Sequence, residues 1–186
     1  NAIIYIDEAH SVGVFGNQGL GLAQEKDVIS EIDIFLGTFG KALASVGAFG
    51  VFRNEIKDYL INRMRPFIFT TALPPMNIAW TQFIFEKVIE LSDRREHLMV
   101  LSKKLRNEIK NLGFETRGDS QIIPVILGPN KKAIDCATAL RNEGFLVFPV
   151  RPPTVPENTA RLRFSLNASI SWNDIKDIPK ILEKII

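Results

Sequence analysis

This sequence of 186 residues contains only one cysteine and has a net charge of only +2. It also lacks long apolar runs. Its single cysteine, Cys136, has no partner for an internal disulfide, which fits a reducing compartment. No run of about 18 apolar residues and no signal peptide is recognisable, so no membrane insertion is predicted. The 23 basic residues are nearly balanced by 21 acidic ones and are scattered, which argues against a nucleic-acid partner. We therefore expect a cytoplasmic protein that binds neither membranes nor nucleic acids.

The remaining composition is that of a globular protein. Hydrophobic residues make up 46% and charged residues 24%, which excludes collagen-like, coiled-coil and disordered chains. The sequence starts directly in an apolar run at residues 2–6, without an initiator methionine or a lead-in. We therefore expect a fragment, inactive on its own, whose partner strands and some of whose functional groups precede it.

Short apolar runs separated by loops predict a sheet in the first half of the chain. Buried strands are predicted at residues 2–6, 32–36 and 46–52, with a short fourth strand at residues 67–69. Helical spacing predicts a helix over residues 55–64 and a long helical region after Pro74 and Pro75, which suit a helix N-terminus. This order of elements predicts an α/β domain over residues 1–92.

The second half has a different pattern, and we place its start at residue 93. Strands are predicted at residues 122–127, 146–150 and 161–166, and helices at residues 133–142 and 172–185. Arg161, Arg163 and Ser165 alternate with apolar residues, so one face of their strand is polar. That alternation is typical of an antiparallel sheet covered by helices on its other face, which predicts a small α+β domain over residues 93–186.

Asp7 and His10 directly follow the first predicted strand. Open α/β sheets bind ligands at the carboxyl ends of their strands, so a carboxylate and an imidazole at this place are candidates for catalysis. The alternative is that Asp7 caps the following turn and His10 packs in the loop.

Lys41 follows the second predicted strand and is flanked by Gly40 and Ala42, which leave room for a ligand. A lysine that is desolvated among small residues has a nucleophilic amine suited to a Schiff base. The alternative is an ordinary surface lysine.

Two further positions offer ligand-binding groups. Arg151 precedes Pro152, which restricts its backbone, and a guanidinium held in this way suits a carboxylate, although an exposed loop arginine is the alternative. Thr70 and Thr71 offer hydroxyls to a phosphate or cap the turn before Pro74. We expect no metal ligands among these residues.

The motif Asp7-Glu8-Ala9-His10 also matches the Walker B motif of DEAH-type helicases, in which the acidic residues hold Mg²⁺ and activate water. That interpretation needs an upstream P-loop of the form G-x-x-x-x-G-K-[ST]. Lys41 instead follows the acidic motif and has no hydroxyl residue after it. Because an upstream P-loop would lie outside this sequence, a helicase fragment stays as an alternative.

Four segments together resemble the α-oxoamine synthases, a family of fold-type I pyridoxal phosphate (PLP) enzymes. They are DEAHSVG at residues 7–13, GTFGKA at residues 37–42, FIFTTALPP at residues 67–75 and VRPPTVP at residues 150–156. The resemblance spans most of the chain but only the C-terminal half of such an enzyme. It implies part of the large, mainly parallel-sheet PLP domain, followed by the C-terminal small domain.

The resemblance also implies a role for each matched residue. Lys41 would form the Schiff base with PLP and act as the base that removes the substrate proton. Asp7 would pair with the pyridine nitrogen, which makes the ring an electron sink. His10 would contact the phenolic oxygen of PLP, and the small Ala9 would let the ring lie against the backbone.

The remaining implied roles concern the phosphate and the substrates. Thr38 would bind the phosphate together with Thr70 or Thr71, and whichever of these two threonines binds would come from the neighbouring subunit of a homodimer. Arg151 would bind the amino-acid carboxylate. The implied reaction condenses an amino acid with an acyl-CoA and releases CoA and CO₂. The segment after Val150 looks most like the branch that joins L-alanine to pimeloyl-CoA in biotin biosynthesis, and 2-amino-3-ketobutyrate CoA ligase and serine palmitoyltransferase are the alternatives.

Overall fold

A computed structural model describes residues 2–185, which form six strands and eight α-helices. In chain order they are β1 (Tyr5–Asp7), α1 (Leu22–Glu25), β2 (Ile34–Thr38), β3 (Ala48–Phe52), α2 (Asn54–Arg63), α3 (Arg65–Ile68), α4 (Pro75–Glu90), α5 (Ser92–Asn111), β4 (Ile122–Gly128), α6 (Asn130–Asn142), β5 (Phe148–Val150), β6 (Ala160–Ser165), α7 (Trp172–Ile175) and α8 (Ile178–Ile185). The predicted mixture of helices and strands is confirmed. The chain divides into two compact units, with the boundary between Arg95 and Glu96 inside α5.

The first unit contains a three-stranded sheet in the order β1-β2-β3. β1 runs parallel to β2, with Tyr5 opposite Ile34 and Asp7 opposite Leu36. β3 runs antiparallel to β2, with Thr38 opposite Ala48. The parallel pair brings the carboxyl ends of β1 and β2 to the same edge of the sheet, where the candidate site lies.

One face of this sheet packs against α4. A buried cluster of Val12, Leu43 and Val88 is covered by partly buried aromatic and aliphatic side chains, namely Phe35, Phe39, Phe49, Ile84 and Phe85. Other large apolar side chains of the first unit are exposed, including Ile3 at 74% and Tyr5 at 58% on the β1 side and Phe69 at 76% after α3. Large exposed apolar patches are uncommon on isolated soluble domains, and Ile3 and Tyr5 lie together at the β1 edge.

The second unit is an antiparallel sheet in the order β4-β6-β5, with α6 packed on all three strands and on α8. Its buried residues alternate along the strands, as in Ile123, Val125, Leu162 and Phe164, and meet buried Leu140 of α6. This is the predicted sheet with helices on one face. None of the helices within residues 2–185 is both long and apolar enough to cross a lipid bilayer.

Two sequence-based predictions of secondary structure are wrong. Residues 67–69 do not form a strand: residues 67 and 68 belong to the short helix α3, whose first turn contains Pro66, and no strand within residues 2–185 pairs with them. Residues 172–185 form two helices instead of one. Pro179 lacks the N–H group that a continuous helix needs, and its ring would clash with the carbonyl of Ile175, so the helix ends and α8 begins anew at Ile178.

Candidate functional site

The candidate site is built at the carboxyl edge of β1 and β2. Asp7 is paired with Leu36, and Thr38 lies two residues further along β2. Side chains alternate between the two faces of a strand, so Asp7, Leu36 and Thr38 share a face. This face is opposite to the one on which Phe35 joins the buried cluster. The exposed carboxylate of Asp7 and the half-buried hydroxyl of Thr38 therefore lie on the same side of one sheet edge.

The turn after β1 is fixed mainly by backbone hydrogen bonds. Glu8 N–H donates to Leu36 O at 2.8 Å, which continues the pairing of the strands beyond Asp7. Glu8 O accepts the N–H groups of Ser11 and Val12 at 2.9 and 3.0 Å. Asp7 Oδ1 accepts Ala9 N–H at 2.9 Å, so Asp7 does cap its own turn, as the alternative for this residue predicted. The exposed His10 lies within this turn.

The side chain of Glu8 points away from solvent and is only 4% exposed. Its Oε1 accepts Ala23 N–H at 2.7 Å and its Oε2 accepts Leu22 N–H at 3.1 Å, at the start of α1. A Walker B glutamate must reach a water molecule, whereas both oxygens of this carboxylate are bound to the backbone. The helicase interpretation therefore has no support at Glu8. The local sequence holds no signal for this contact of Glu8, because its partners lie 14 and 15 residues further along the chain.

Lys41 is exposed at the tip of a tightly closed loop between β2 and β3. Phe39 N–H donates to Gly47 O at 2.9 Å, and Ser45 N–H donates to Phe39 O at 2.8 Å, so the ends of the loop are joined. Leu43 is fully buried in the cluster against α4. The backbone that carries Lys41 is therefore held in place although its side chain is accessible.

Two polar contacts attach the same loop to α4. Trp80 Nε1–H donates to Ala44 O at 2.9 Å, and the hydroxyls of Ser45 and Thr81 share a hydrogen bond of 2.6 Å. Both helix residues lie near the N-terminal end of α4, in its second turn. The position of the Lys41 loop is thus determined by α4 as well as by the sheet.

The loop after β1 and the Lys41 loop touch each other at Gly13 and Ala42. A Cβ atom added to Gly13 would lie 2.7 Å from Ala42 Cβ, which is closer than two such atoms can approach. Gly13 also has a φ of +83°, a conformation that favours glycine. The contact brings the Asp7-to-Gly13 segment beside the segment that carries Lys41. Gly13 is part of the DEAHSVG motif, but the sequence does not show that Ala42 packs against it.

The hydroxyl of Thr38 is engaged in hydrogen bonds within the loop. It donates to Gly47 O at 3.1 Å and accepts Gly40 N–H at 3.2 Å. A hydroxyl has a single proton, so Thr38 donates to another ligand only after leaving Gly47 O.

The other predicted site residues lie elsewhere in the chain. Thr70 and Thr71 are exposed in the irregular segment between α3 and α4, and within residues 2–185 no hydrogen bond joins them to Asp7, Thr38 or Lys41. Arg151 belongs to the second unit, where it is exposed directly after β5, and its carbonyl accepts Thr154 N–H at 3.0 Å.

Comparison with known proteins gives a family match over almost the whole chain. The sequence model described as "Aminotransferase class I and II" matches residues 1–182. The 8-amino-7-oxononanoate synthase of Chlorobaculum parvum is 48% identical over 184 residues, which are 99% of this chain and 47% of that enzyme. The chain therefore spans about half the length of the curated relatives it matches.

Solved structures with the same fold include two named enzymes. A serine palmitoyltransferase from S. paucimobilis, with a bound PLP-myriocin aldimine, has a TM-score of 0.93 at 30% identity and covers 100% of this chain and 47% of its own. The 8-amino-7-oxononanoate synthase of Francisella tularensis has a TM-score of 0.88 at 29% identity, with 97% and 53% coverage. The predicted PLP-enzyme fold is confirmed by these neighbours.

Proposed function

Because the chain belongs to the aminotransferase class I and II family, we propose that it is the C-terminal half of a PLP-dependent α-oxoamine synthase. The observation that carries this proposal is the edge shared by β1 and β2. Asp7 and Thr38 lie there on one face, and the loop that carries Lys41 is held beside them by the contact of Gly13 with Ala42.

The donor set of this edge fits PLP chemically. Asp7 is exposed, and within residues 2–185 its Oδ2 accepts no hydrogen bond, so a carboxylate oxygen is available for a ring nitrogen. Lys41 offers an accessible amine for the aldehyde. Gly40 leaves space next to it, since a Cβ there would lie 3.6 Å from its nearest neighbour, Thr38 Oγ1.

In this proposal each residue of the first unit has one task. PLP, when bound, supplies an electron sink for the carbon that loses its proton. Asp7 holds the proton on the ring nitrogen, which keeps that sink effective. His10 donates to the phenolic oxygen, Ala9 leaves room for the ring, and the amine of Lys41 takes the α-proton from the amino acid.

The anionic groups are bound by three further residues. Thr38 donates to the phosphate by exchanging Gly47 O for a phosphate oxygen, and Thr70 or Thr71 of a neighbouring subunit donates to the same group. Arg151 binds the carboxylate of the amino acid, for which a guanidinium offers two parallel donors.

We further propose L-alanine and pimeloyl-CoA as the substrates, with release of CoA and CO₂ in biotin biosynthesis. The support comes from curated relatives that carry the name 8-amino-7-oxononanoate synthase and are 48 to 52% identical to this chain. Serine palmitoyltransferase is the second candidate function, because solved enzymes of that name match the whole chain at a TM-score of 0.93. Among the solved structures the two kinds of enzyme are about equally similar to the chain, at 29 to 31% identity, so the 48 to 52% identity of the curated relatives is what favours the first candidate.

The exposed apolar residues of the first unit support a larger assembly in which other parts of the protein cover them. Tyr5 lies in the edge strand β1 and Ile3 directly before it, and a preceding part of the parent protein would pair with this strand and cover both side chains. A homodimer with shared sites would supply the second subunit's threonines. We place this enzyme in the cytoplasm, in agreement with its single buried cysteine.

The test uses the full-length parent protein with added PLP. We expect a long-wavelength absorbance band that borohydride fixes covalently to Lys41 and that L-alanine shifts. Lys41→Ala should abolish the covalent attachment, whereas the matched control Lys57→Ala, an exposed lysine of α2, should retain it. Absence of the band in the wild type, or attachment that survives Lys41→Ala, would overturn the proposal.

The substrates are tested by the release of CoA thiol from the same protein. We expect release with L-alanine and pimeloyl-CoA, and much less with L-serine and palmitoyl-CoA or glycine and acetyl-CoA. Preference for the serine pair would replace the first candidate by the second while leaving the cofactor chemistry intact.

A further inference from the structure

We propose that Glu8 is a positioning residue of the cofactor site, and this inference rests on the proposed function. Its buried carboxylate ties the end of β1 to the start of α1 and so fixes Asp7 and His10, which flank it in the chain. Glu8 itself does not contact the cofactor or the substrates.

The burial of Glu8 requires a specific set of partners. Glutamate is almost never fully buried unless it is paired, and Glu8 is 4% exposed. Its partners are the N–H groups of Leu22 and Ala23, at 3.1 and 2.7 Å. Hydrogen bonds of this kind to a charged acceptor are about twice as strong as those between neutral groups. The carboxylate is therefore bound firmly to the first turn of α1.

The absence of a side chain at Gly21 leaves the space that the Glu8 carboxylate occupies. Gly21 precedes α1 with a φ of +108°, and a Cβ there would lie 2.9 Å from the carboxyl carbon of Glu8. Any other residue at position 21 would push the carboxylate away from the two N–H groups. Glycine is required here for close approach as well as for conformation.

The backbone of Glu8 transmits this anchoring to both neighbours. Its N–H group holds the strand that ends in Asp7 against Leu36, and its carbonyl accepts Ser11 and Val12 N–H across the turn that contains His10. With the side chain fixed as well, Glu8 is held at three points. A shift of Glu8 therefore moves the Asp7 carboxylate and the His10 ring together, and the groups of a binding site must be held within about 0.5 Å of their productive positions.

The decisive variant is Glu8→Gln in the full-length protein. Glutamine keeps the size of the side chain but replaces one accepting oxygen with an NH₂ group, which faces a backbone N–H. The matched control is Glu25→Gln on α1, the helix whose first N–H groups bind Glu8. Glu25 is exposed and forms a weak ion pair with Lys26 Nζ at 3.8 Å. Both variants lose one negative charge, so a general charge effect appears equally in the two.

Two quantities are measured for each protein. One is the dissociation constant for PLP, obtained by titrating its absorbance band. The other is amide hydrogen exchange at Ser11 and Val12 in the cofactor-free protein. For Glu8→Gln we expect PLP binding weakened about tenfold or more, as for loss of a hydrogen bond to a charged group, together with faster exchange at both amides. Glu25→Gln should match the wild type in both.

A second variant keeps the proposal testable if Glu8→Gln does not fold. Leu22→Pro removes the N–H group that donates to Glu8 Oε2, at a first helical position where proline is tolerated. It should weaken PLP binding in the same direction while the carboxylate itself remains.

The outcomes separate the two proposals. Wild-type affinity for PLP in Glu8→Gln, with or without faster exchange, would overturn the positioning role and leave the proposed function standing. A wild-type protein that does not bind PLP would overturn the proposed function, and the role of Glu8 toward the cofactor with it.

Discussion

The contact between Gly13 and Ala42 gives a quantitative prediction for Gly13→Ala. The new Cβ would lie 2.7 Å from Ala42 Cβ, and the backbone would keep a φ of +83°. A left-handed conformation costs an alanine about 1–2 kcal/mol. Forcing an extra carbon into a packed contact adds about 1–3 kcal/mol. We therefore expect Gly13→Ala to lower the free energy of unfolding by about 2–5 kcal/mol.

The assay is urea unfolding of the full-length protein, and Gly113→Ala is its matched control. Gly113 has a nearly identical φ of +86°, but a Cβ there would meet nothing within 4 Å. Its substitution therefore measures the cost of conformation alone, about 1–2 kcal/mol. The difference between the two variants isolates the cost of the overlap with Ala42.

A double-mutant cycle completes the experiment. Ala42→Gly removes the atom with which the new Cβ collides, so Gly13→Ala should be less destabilising in that background, close to the value for Gly113→Ala. Equal effects of Gly13→Ala and Gly113→Ala in the wild-type background would refute the tight contact. An unchanged effect of Gly13→Ala in the Ala42→Gly background would do the same.

Two further predictions concern residues that stabilise the units. Arg95 is buried and donates to the carbonyls of Val88, Ile89 and Asn17, which ties the end of α4 to the loop after β1. Arg95→Met should therefore lower the unfolding free energy by about 2–4 kcal/mol in urea unfolding, and a loss below about 0.5 kcal/mol would contradict this. Hydrogen bonds from the Ser171 side chain and backbone lower the pKa of Asp174, so its stabilising effect is complete above the unfolded pKa of about 3.9 and is lost as the pH falls through the lower folded pKa. The urea midpoint of Asp174→Asn should thus lie below that of the wild type at pH 7 and approach it below pH 4, and a difference that is constant with pH would contradict the assignment.

The strands and the site residues on them could be predicted because their signals are local. A continuous apolar run ending at Asp7 marks a strand and its carboxyl end in the same few residues, and β2 with Lys41 repeats the pattern. The predicted burial of the first strand is wrong, because Ile3 and Tyr5 are exposed at the edge of the sheet. Residues 67–69 have the same apolar character but no partner strand among residues 2–185, and strand formation depends on partners that a local pattern does not contain. Pro66 is the local feature that indicates a helix here, because proline fits the first turn of a helix.

The supporting contacts of the site could not be predicted for a different reason. Glu8 is anchored by residues 14 and 15 positions away, and Gly13 meets Ala42 in a separate loop. These contacts depend on how α1 and the Lys41 loop pack against the end of β1. Glutamate and glycine at such positions are equally compatible with a solvated loop when they are considered in sequence alone.

The hydrogen bond from the Trp80 indole to Ala44 O also makes this tryptophan a natural optical sensor. The chain has only two tryptophans, and the other, Trp172, lies under the ammonium group of Lys104 at 3.9 Å in the second unit. Each unit therefore carries its own fluorophore in a distinct electrostatic environment. Emission from Trp80 reports on the loop of Lys41, three residues from its hydrogen-bond acceptor, without any added label.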